Sequence, residues 1–473
     1  MVSTPPTDDL DVPLETDDMQ GILVSAFAHL PCVAYSLLRV VDRGAARRWL
    51  SEVVPLVTSA VAKQEGWSFN IAFTLEGLEA LGLPAESSAT FPAAMHDGGM
   101  TSAHRTRILG DHGANASEHW EWGGTGTDPV HVLLLVYGVD ESARDDRLTS
   151  LVPTADSGVV EVVTLRAGRP KNAREHFGFL DGVGQPVVAG SGRTKTQFDR
   201  TRHYTEIAAG EFVLGYCNED NALPLSPTLP SAAMADGLLD LGKNGTFLVF
   251  RQLKQNVAGF WRAVRDQAAV VFPDDPNGAV RLASRMVGRW ESGAPLVKHP
   301  RSDPFDGVPQ DVTDNDFNYH DLDSAGLACP IGSHIRRANP RDALGPDPAT
   351  ALTSSRRHRL LRRGRSYGDQ TTNRYEDDGV DRGLYFICLN TDLERQFEFV
   401  QQTWLNNPDF AGLSDEVDPI VGTSGGGGCP FSVQDRPVRV RAHGIRAHAT
   451  VRGGAYWFVP GLRALAAIAA LHE

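Results

Sequence analysis

Three stretches of the sequence carry residue types that could do chemistry at one site. Residues 175–188 read EHFGFLDGVGQPVV, with Asp181 set among Gly178, Phe179, Leu180, Gly182 and Gly184 and followed by Gln185 and Pro186. Glycines beside an acid let the backbone approach a ligand closely. The apolar Phe177, Phe179 and Leu180 are expected to desolvate the Asp181 carboxyl and raise its pKa, which suits an acid that shuttles a proton. Taken alone, the same pattern also describes a turn aspartate between strands. Residues 328–345, ACPIGSHIRRANPRDALG, put Arg336, Arg337 and Arg341 close behind His334. A neutral imidazole nitrogen can coordinate haem iron, and guanidinium forks match the carboxylates of haem propionates; a surface histidine on a basic loop is the alternative. Residues 356–368, RRHRLLRRGRSYG, set Arg362 directly after Leu360 and Leu361, so its side chain is expected to point inward, where it could stabilise a peroxide anion. Arg356, Arg357 and Arg363 fit a solvated face.

The elements that must position these residues follow from apolar periodicity. VAYSLLRVV near residue 35, FNIAFT near 69, VHVLLLVYG near 130 and VEVVTLRA near 160 predict strands, and AARRWLSEVVPLVTSAV and TLEGLEALGLP predict helices, the second starting at a threonine cap. This order suggests a split β-α-β unit of the ferredoxin-like kind. It recurs in the second half, where EFVLGYC, TFLVFRQLKQ and GLYFICLN predict strands and NVAGFWRAVRDQAAVV and DLERQFEFVQQTWLNN predict helices. VRVRAHGIRAHATVRGGAYWFVPGLRAL predicts strand material and then a terminal helix. The expected division is a flexible tail over 1–18, an N-terminal domain over 19–205 that carries Asp181, and a C-terminal domain over 206–473. A loop-rich insert over 290–330 and the connector TSGGGGCP interrupt the second domain.

A length of 473 residues allows two or three domains with a large core. The formal net charge of −14 disfavours nucleic acid as a partner, since phosphate binding needs a basic face. Cys32, Cys217, Cys329, Cys388 and Cys429 are scattered and form no CxxC pair, against a zinc site or a disulfide framework. The acidic start, MVSTPPTDDLDVPLETDD, has neither an apolar core nor an Arg-Arg pair, so no secretory or twin-arginine signal is read there. No apolar run is long enough to span a bilayer. A cytoplasmic location without a membrane partner is the resulting expectation.

Together the three stretches resemble the dye-decolorizing peroxidases. That family's marks are a Gly-x-x-Asp-Gly motif, a later proximal histidine and an arginine downstream of it, matched here by Gly178 to Gly182, His334 and Arg362. The strings FGFLDGVGQP, HIRRANPRD and LLRRGRSYG extend the match, as do GLYFICLNTDLERQFEFVQQTWLNNP and VRGGAYWFVPGL. DDMQGILVSAFAHLPCVAYSLLRV is similar to the longer, leaderless members, so the resemblance runs from about residue 17 to near the end. One departure is Gly184 before Gln185, where many members carry a small polar residue.

The resemblance implies an α+β fold of two ferredoxin-like domains with antiparallel sheets packed together, of the dimeric α+β barrel type. It implies one haem b (iron protoporphyrin IX) per chain, held in the C-terminal domain with His334 as proximal iron ligand. Asp181 and Arg362 would be the distal catalytic pair, with Gly182 beside the cofactor and Arg336 and Arg341 toward the propionates. Asp418, or else Asp415, would be the acidic partner of His334. The implied reaction reduces hydrogen peroxide to water while bulky aromatic donors are oxidised. Tyr367, Tyr385, Trp404, Tyr456 and Trp457 are electron-relay candidates by residue type only, and as core aromatics they need no such role. A haem-handling protein with incidental peroxidase turnover is the rival reading, and a homo-oligomer is compatible with the sequence.

Overall fold

The computed structural model describes residues 13–62, 65–152, 156–192, 206–231, 234, 237–305, 314–423 and 428–471. Four strands of the first half, β1 (Cys32–Val40), β2 (Trp67–Phe73), β3 (Val132–Gly138) and β4 (Val159–Gly168), pair antiparallel in the order β4-β1-β3-β2. Four of the second half, β5 (Thr246–Gln255), β6 (Arg365–Tyr367), β7 (Gly383–Asn390) and β8 (Ala449–Val459), pair in the order β6-β7-β5-β8. Each half has the ferredoxin-like strand order. Phe73 pairs with Phe458 at one seam and Ser366 with Gly168 at the other, so the two sheets close into a single ring.

Both faces of this ring are buried, and the period-2 alternation decides which residue faces which layer. Tyr35, Leu37, Leu133, Leu135, Phe250 and Tyr385 fill the interior, while Ala34, Leu38, Leu134 and Val136 face the outer helices. In the second half the outward residues Leu253, Gln255, Leu384, Phe386, Ala449 and Val451 line a cavity.

Local signals account for the outer helices. Asp42 caps α1 (Arg43–Val53) by accepting the Ala45 amide at 2.7 Å, and the helix buries Ala46, Trp49, Leu50 and Val53. Thr74 caps the short helix Leu75–Ala80 as expected. Asp140 caps α2 (Glu141–Leu151). Asn256 caps α3 (Val257–Val271), whose buried face is Phe260, Trp261, Val264, Ala268 and Val271. The stretch Glu394–Leu405 winds as π-helix and turns Phe397, Val400, Gln401 and Leu405 to the cavity.

Two expectations are corrected. EFVLGYC is not a strand: it follows the 3-10 turn Ala209–Glu211 and plugs the core with Phe212, Val213 and Leu214, tied down by the buried Glu211 carboxylate on Arg395 at 2.8 Å. The run of apolar residues reflects burial all round rather than a pleat. The tail does not extend to residue 18: Leu14 is buried, and Asp18 accepts the Arg463 amide at 2.8 Å and Asn244 Nδ2 at 2.8 Å. The expected boundary near 205 lies outside the described residues, as do 306–313 of the insert and 424–427 of the connector. The described part of the insert is packed, with Trp290, Leu296, Phe317 and Tyr319 forming a small core beside the cavity.

Candidate active site

The Asp181 loop is anchored by its apolar side chains and left open at its acid. Phe177 packs on Phe260 of α3 at 4.5 Å between ring centroids, and Trp261 Nε1 donates to the Phe177 carbonyl at 3.1 Å. These rings turn into the helix layer and do not seal Asp181, which stands exposed at the cavity. The expected desolvation by its neighbours is thereby corrected: it falls on Glu175, six residues earlier, whose carboxyl burial pushes up to about 7. Gly182 lies at φ +82 with open space where a Cβ would sit, so backbone conformation and not crowding calls for glycine there.

His334 opens the one-turn helix α4 (His334–Ala338). Its Nδ1 donates to Asp418 Oδ2 at 2.9 Å, while Asp418 Oδ1 accepts the amides of Ile420 and Val421 at 2.9 Å each. A carboxylate acceptor puts the proton on Nδ1 and leaves Nε2 with a lone pair, the arrangement that fixes a metal-binding imidazole. Burial pulls the His334 pKa down, but the Asp418 charge and hydrogen bond outweigh it and hold the net value above the ordinary one. Asp418 is buried and Asp415 is exposed, so geometry favours Asp418 as the partner.

Arg362 ends the two-residue strand Leu361–Arg362, paired with Leu389 and Cys388. Gln185 ties it to the Asp181 loop: the Arg362 amide donates to Gln185 Oε1 at 3.1 Å and Gln185 Nε2 donates to the Arg362 carbonyl at 3.2 Å. Asp181, His334 and Arg362 all line one cavity of about 630 Å³, and the charges of Arg362 and Asp181 both act on the His334 imidazole.

The other predicted contacts divide. Arg341 lines the cavity, with its guanidinium over the Phe317 ring at 3.9 Å and donating to the Asn315 and Phe317 carbonyls. Arg336 does not: it points away, into the Asp323 carboxylate at 3.3 Å and the Cys329 carbonyl at 2.8 Å. Two residues on from His334 on a helix is the opposite face, which the string HIRR cannot reveal without the helix. Arg363, read as solvated, is buried and donates to the Ile22 and Leu23 carbonyls. The five relay candidates are all buried.

Sequence reasoning missed Arg289 and Arg359. Both line the cavity, and burial, then repulsion from neighbouring arginines, pulls them down to about 10 and about 9. Arg359 carried a signal, since it stands one residue before the same apolar pair as Arg362. Arg289 carried none.

Residues 235–431 match the family model for the C-terminal part of Dyp-type peroxidases. The chain is 31% identical over 465 residues to a dye-decolorizing peroxidase of Mycena epipterygia, covering 89% of this chain and 80% of that protein. The chain belongs to the dye-decolorizing peroxidase family. The crystal structure of a DyP-type peroxidase from Auricularia auricula-judae superposes with a TM-score of 0.76 at 26% identity, covering 97% of this chain and 100% of that one. DyP2 from Amycolatopsis superposes at 0.74 with 25% identity over 98% of each chain. As a Dyp-type peroxidase the protein is a haem enzyme that takes hydrogen peroxide and a reductant.

The residues present fit a haem. Among the described residues no group of three or more His, Cys, Asp or Glu could hold a bare metal ion, and a single imidazole suits an iron whose remaining ligands would come from a porphyrin. The buried guanidiniums of Arg289, Arg341 and Arg359 share one cavity with the half-buried Arg362, where a dianionic ligand would offset their mutual repulsion.

Proposed function

We propose that the chain binds one haem b through His334 and that Asp181 and Arg362 promote cleavage of hydrogen peroxide beside it, with bulky aromatic molecules as the electron donors. The single observation that carries this reading is the convergence of His334, Asp181 and Arg362 on one cavity, with the far side of the imidazole held by buried Asp418. When bound, the haem would supply the iron that binds peroxide and the two electrons that its reduction to water requires.

The chain's own residues do the rest. Asp418 keeps the His334 ring in the tautomer that leaves Nε2 available. Arg341, Arg359 and Arg289 are the cations nearest to hand for the propionates; Arg336 is bound elsewhere and is withdrawn from that role. Asp181, exposed at the cavity, takes the proton from one peroxide oxygen and returns it to the other, so that the far oxygen leaves as water. Arg362 stabilises the negative charge that builds on the oxygens while this happens. Gly182, with no side chain and open space where a Cβ would sit, would let the loop backbone come close to the cofactor. No cysteine lines the cavity among the described residues, which suits a haem held without thioether links. Tyr367, Tyr385, Trp404, Tyr456 and Trp457 are all buried, so none of them offers a surface contact to a large donor.

Stopped-flow absorbance of the haem-loaded protein mixed with peroxide tests this. Asp181→Asn and Arg362→Leu should each keep the Soret band and slow the bimolecular step by on the order of 10² to 10³. Unchanged rates in both variants would overturn the assignment and favour the haem-handling alternative, in which neither residue is needed.

A further inference from the structure

Glu175 is a half-buried acid in the same loop that the reaction above does not use. Its carboxylate accepts the Phe177 amide at 2.8 Å, the Phe179 amide at 2.9 Å and Gln255 Nε2 at 2.7 Å. Its own amide donates to the Phe179 carbonyl at 3.0 Å, and the Gly178 amide donates to the Glu175 carbonyl at 2.8 Å. Glu175 therefore closes the hairpin turn that delivers Asp181, and its remaining exposure is to the cavity it lines. No cation bonds the carboxyl among the described residues. The charge acting on it is Asp181, from its own loop; Gln255, from β5, and the two amides are neutral.

Gln255 has a second property. Its Oε1 is buried and has no hydrogen-bond partner. An amide side chain can present either its NH₂ or its oxygen to the same neighbour by rotating half a turn. With Glu175 charged, Gln255 donates to it, as observed. With Glu175 protonated, the turned amide would accept the new O–H. The pair can thus satisfy either charge state, whereas the Phe177 and Phe179 amides are held well only by the carboxylate.

We propose that Glu175 is a positioning residue for peroxide cleavage: as a carboxylate it pins the turn that presents Asp181, and uptake of one proton, accommodated by rotation of the Gln255 amide, loosens that turn. This rests on the role given to Asp181 above. Burial, and secondarily the Asp181 charge, puts the exchange in the neutral range, at about 7. The sign follows: the peroxide step speeds up as pH rises through the neutral range, because the pinned form is the charged one.

Two readouts on the haem-loaded protein test it. The first is the pH profile of the bimolecular rate with peroxide in wild type and Glu175→Gln. The wild type should show a limb near pH 7 that Glu175→Gln lacks. The second is the infrared band of a protonated carboxyl, which should titrate near pH 7 in the wild type, both haem-loaded and haem-free, and be missing in Glu175→Gln. Gln255→Leu removes a bond to the charged form and should move band and limb together to higher pH. That variant keeps the test open if Glu175→Gln fails to fold. A limb that persists in Glu175→Gln, or a carboxyl band that does not titrate between pH 6 and 8, overturns the proposal. If Asp181→Asn leaves the peroxide rate unchanged, the functional reading itself fails; if it slows the rate while Glu175→Gln keeps the wild-type limb, only the role of Glu175 fails.

Discussion

At the scale of single residues, the site gathers several cations around one cavity. Asp418 answers His334, but Arg289, Arg341, Arg359 and Arg362 share one cavity, and burial followed by repulsion from Arg341 and Arg362 pulls Arg359 down to about 9. A cation whose pKa is depressed by folding costs stability at neutral pH, where it stays charged. Arg359→Leu should accordingly leave the haem-free chain as stable or firmer by about 1–2 kcal/mol in urea unfolding. The same change should weaken haem binding by about tenfold or more, since it removes a charge-assisted bond worth about 1.5–3 kcal/mol. Loss of stability without loss of haem affinity would mark Arg359 as structural. The stretches carrying His334 and Arg362 were ambiguous one by one, and only the family resemblance singled out these two residues, which share one cavity. Arg336 was misread because adjacency in sequence is not adjacency on a helix.

At the scale of elements, the helix Gly278–Val287 sets the height of the His334 turn. It ends at Gly288, at φ +100, where a Cβ would lie 2.4 Å from Ile335 Cγ1 and 3.3 Å from Cys329 Sγ. Gly288→Ala should cost about 2–4 kcal/mol, from the left-handed backbone and from overpacking. It should also shift the Soret band, because Ile335 follows His334 directly. Adding Ile335→Ala, which deletes the clashing atoms, should recover part of the stability; no recovery would mean that the backbone term dominates. The strands were readable as short apolar runs, since burial on both faces makes them apolar throughout. EFVLGYC was not, because an apolar plug and a buried strand look alike over seven residues.

At the scale of the whole molecule, the halves complete each other. Tyr35 of the first half packs on Phe250 and Tyr385 of the second at 5.1 and 5.6 Å, and Trp122 packs on Phe250 at 4.9 Å. The chain from residue 206 onward, expressed alone, should lose this interior along with the Asp181 loop. It is expected to give a poorly dispersed NMR spectrum and no defined Soret band on haem addition. A folded, haem-binding fragment would show that the first half is dispensable for the cofactor. No helix among the described residues is long and apolar enough to cross a membrane.

The sequence by itself pointed to the family, to the two-fold recurrence of elements and to three residues that share one cavity, because motifs and apolar runs are local properties that one chain displays directly. Only the tertiary structure decided that Asp418 and not Asp415 meets His334, that Arg359 and Arg289 face the cavity while Arg336 turns away, and that Glu175 is more buried than Asp181 in their loop. Those outcomes depend on which side chains burial brings together across long stretches of chain, and charge and solvation act through space, not along the sequence.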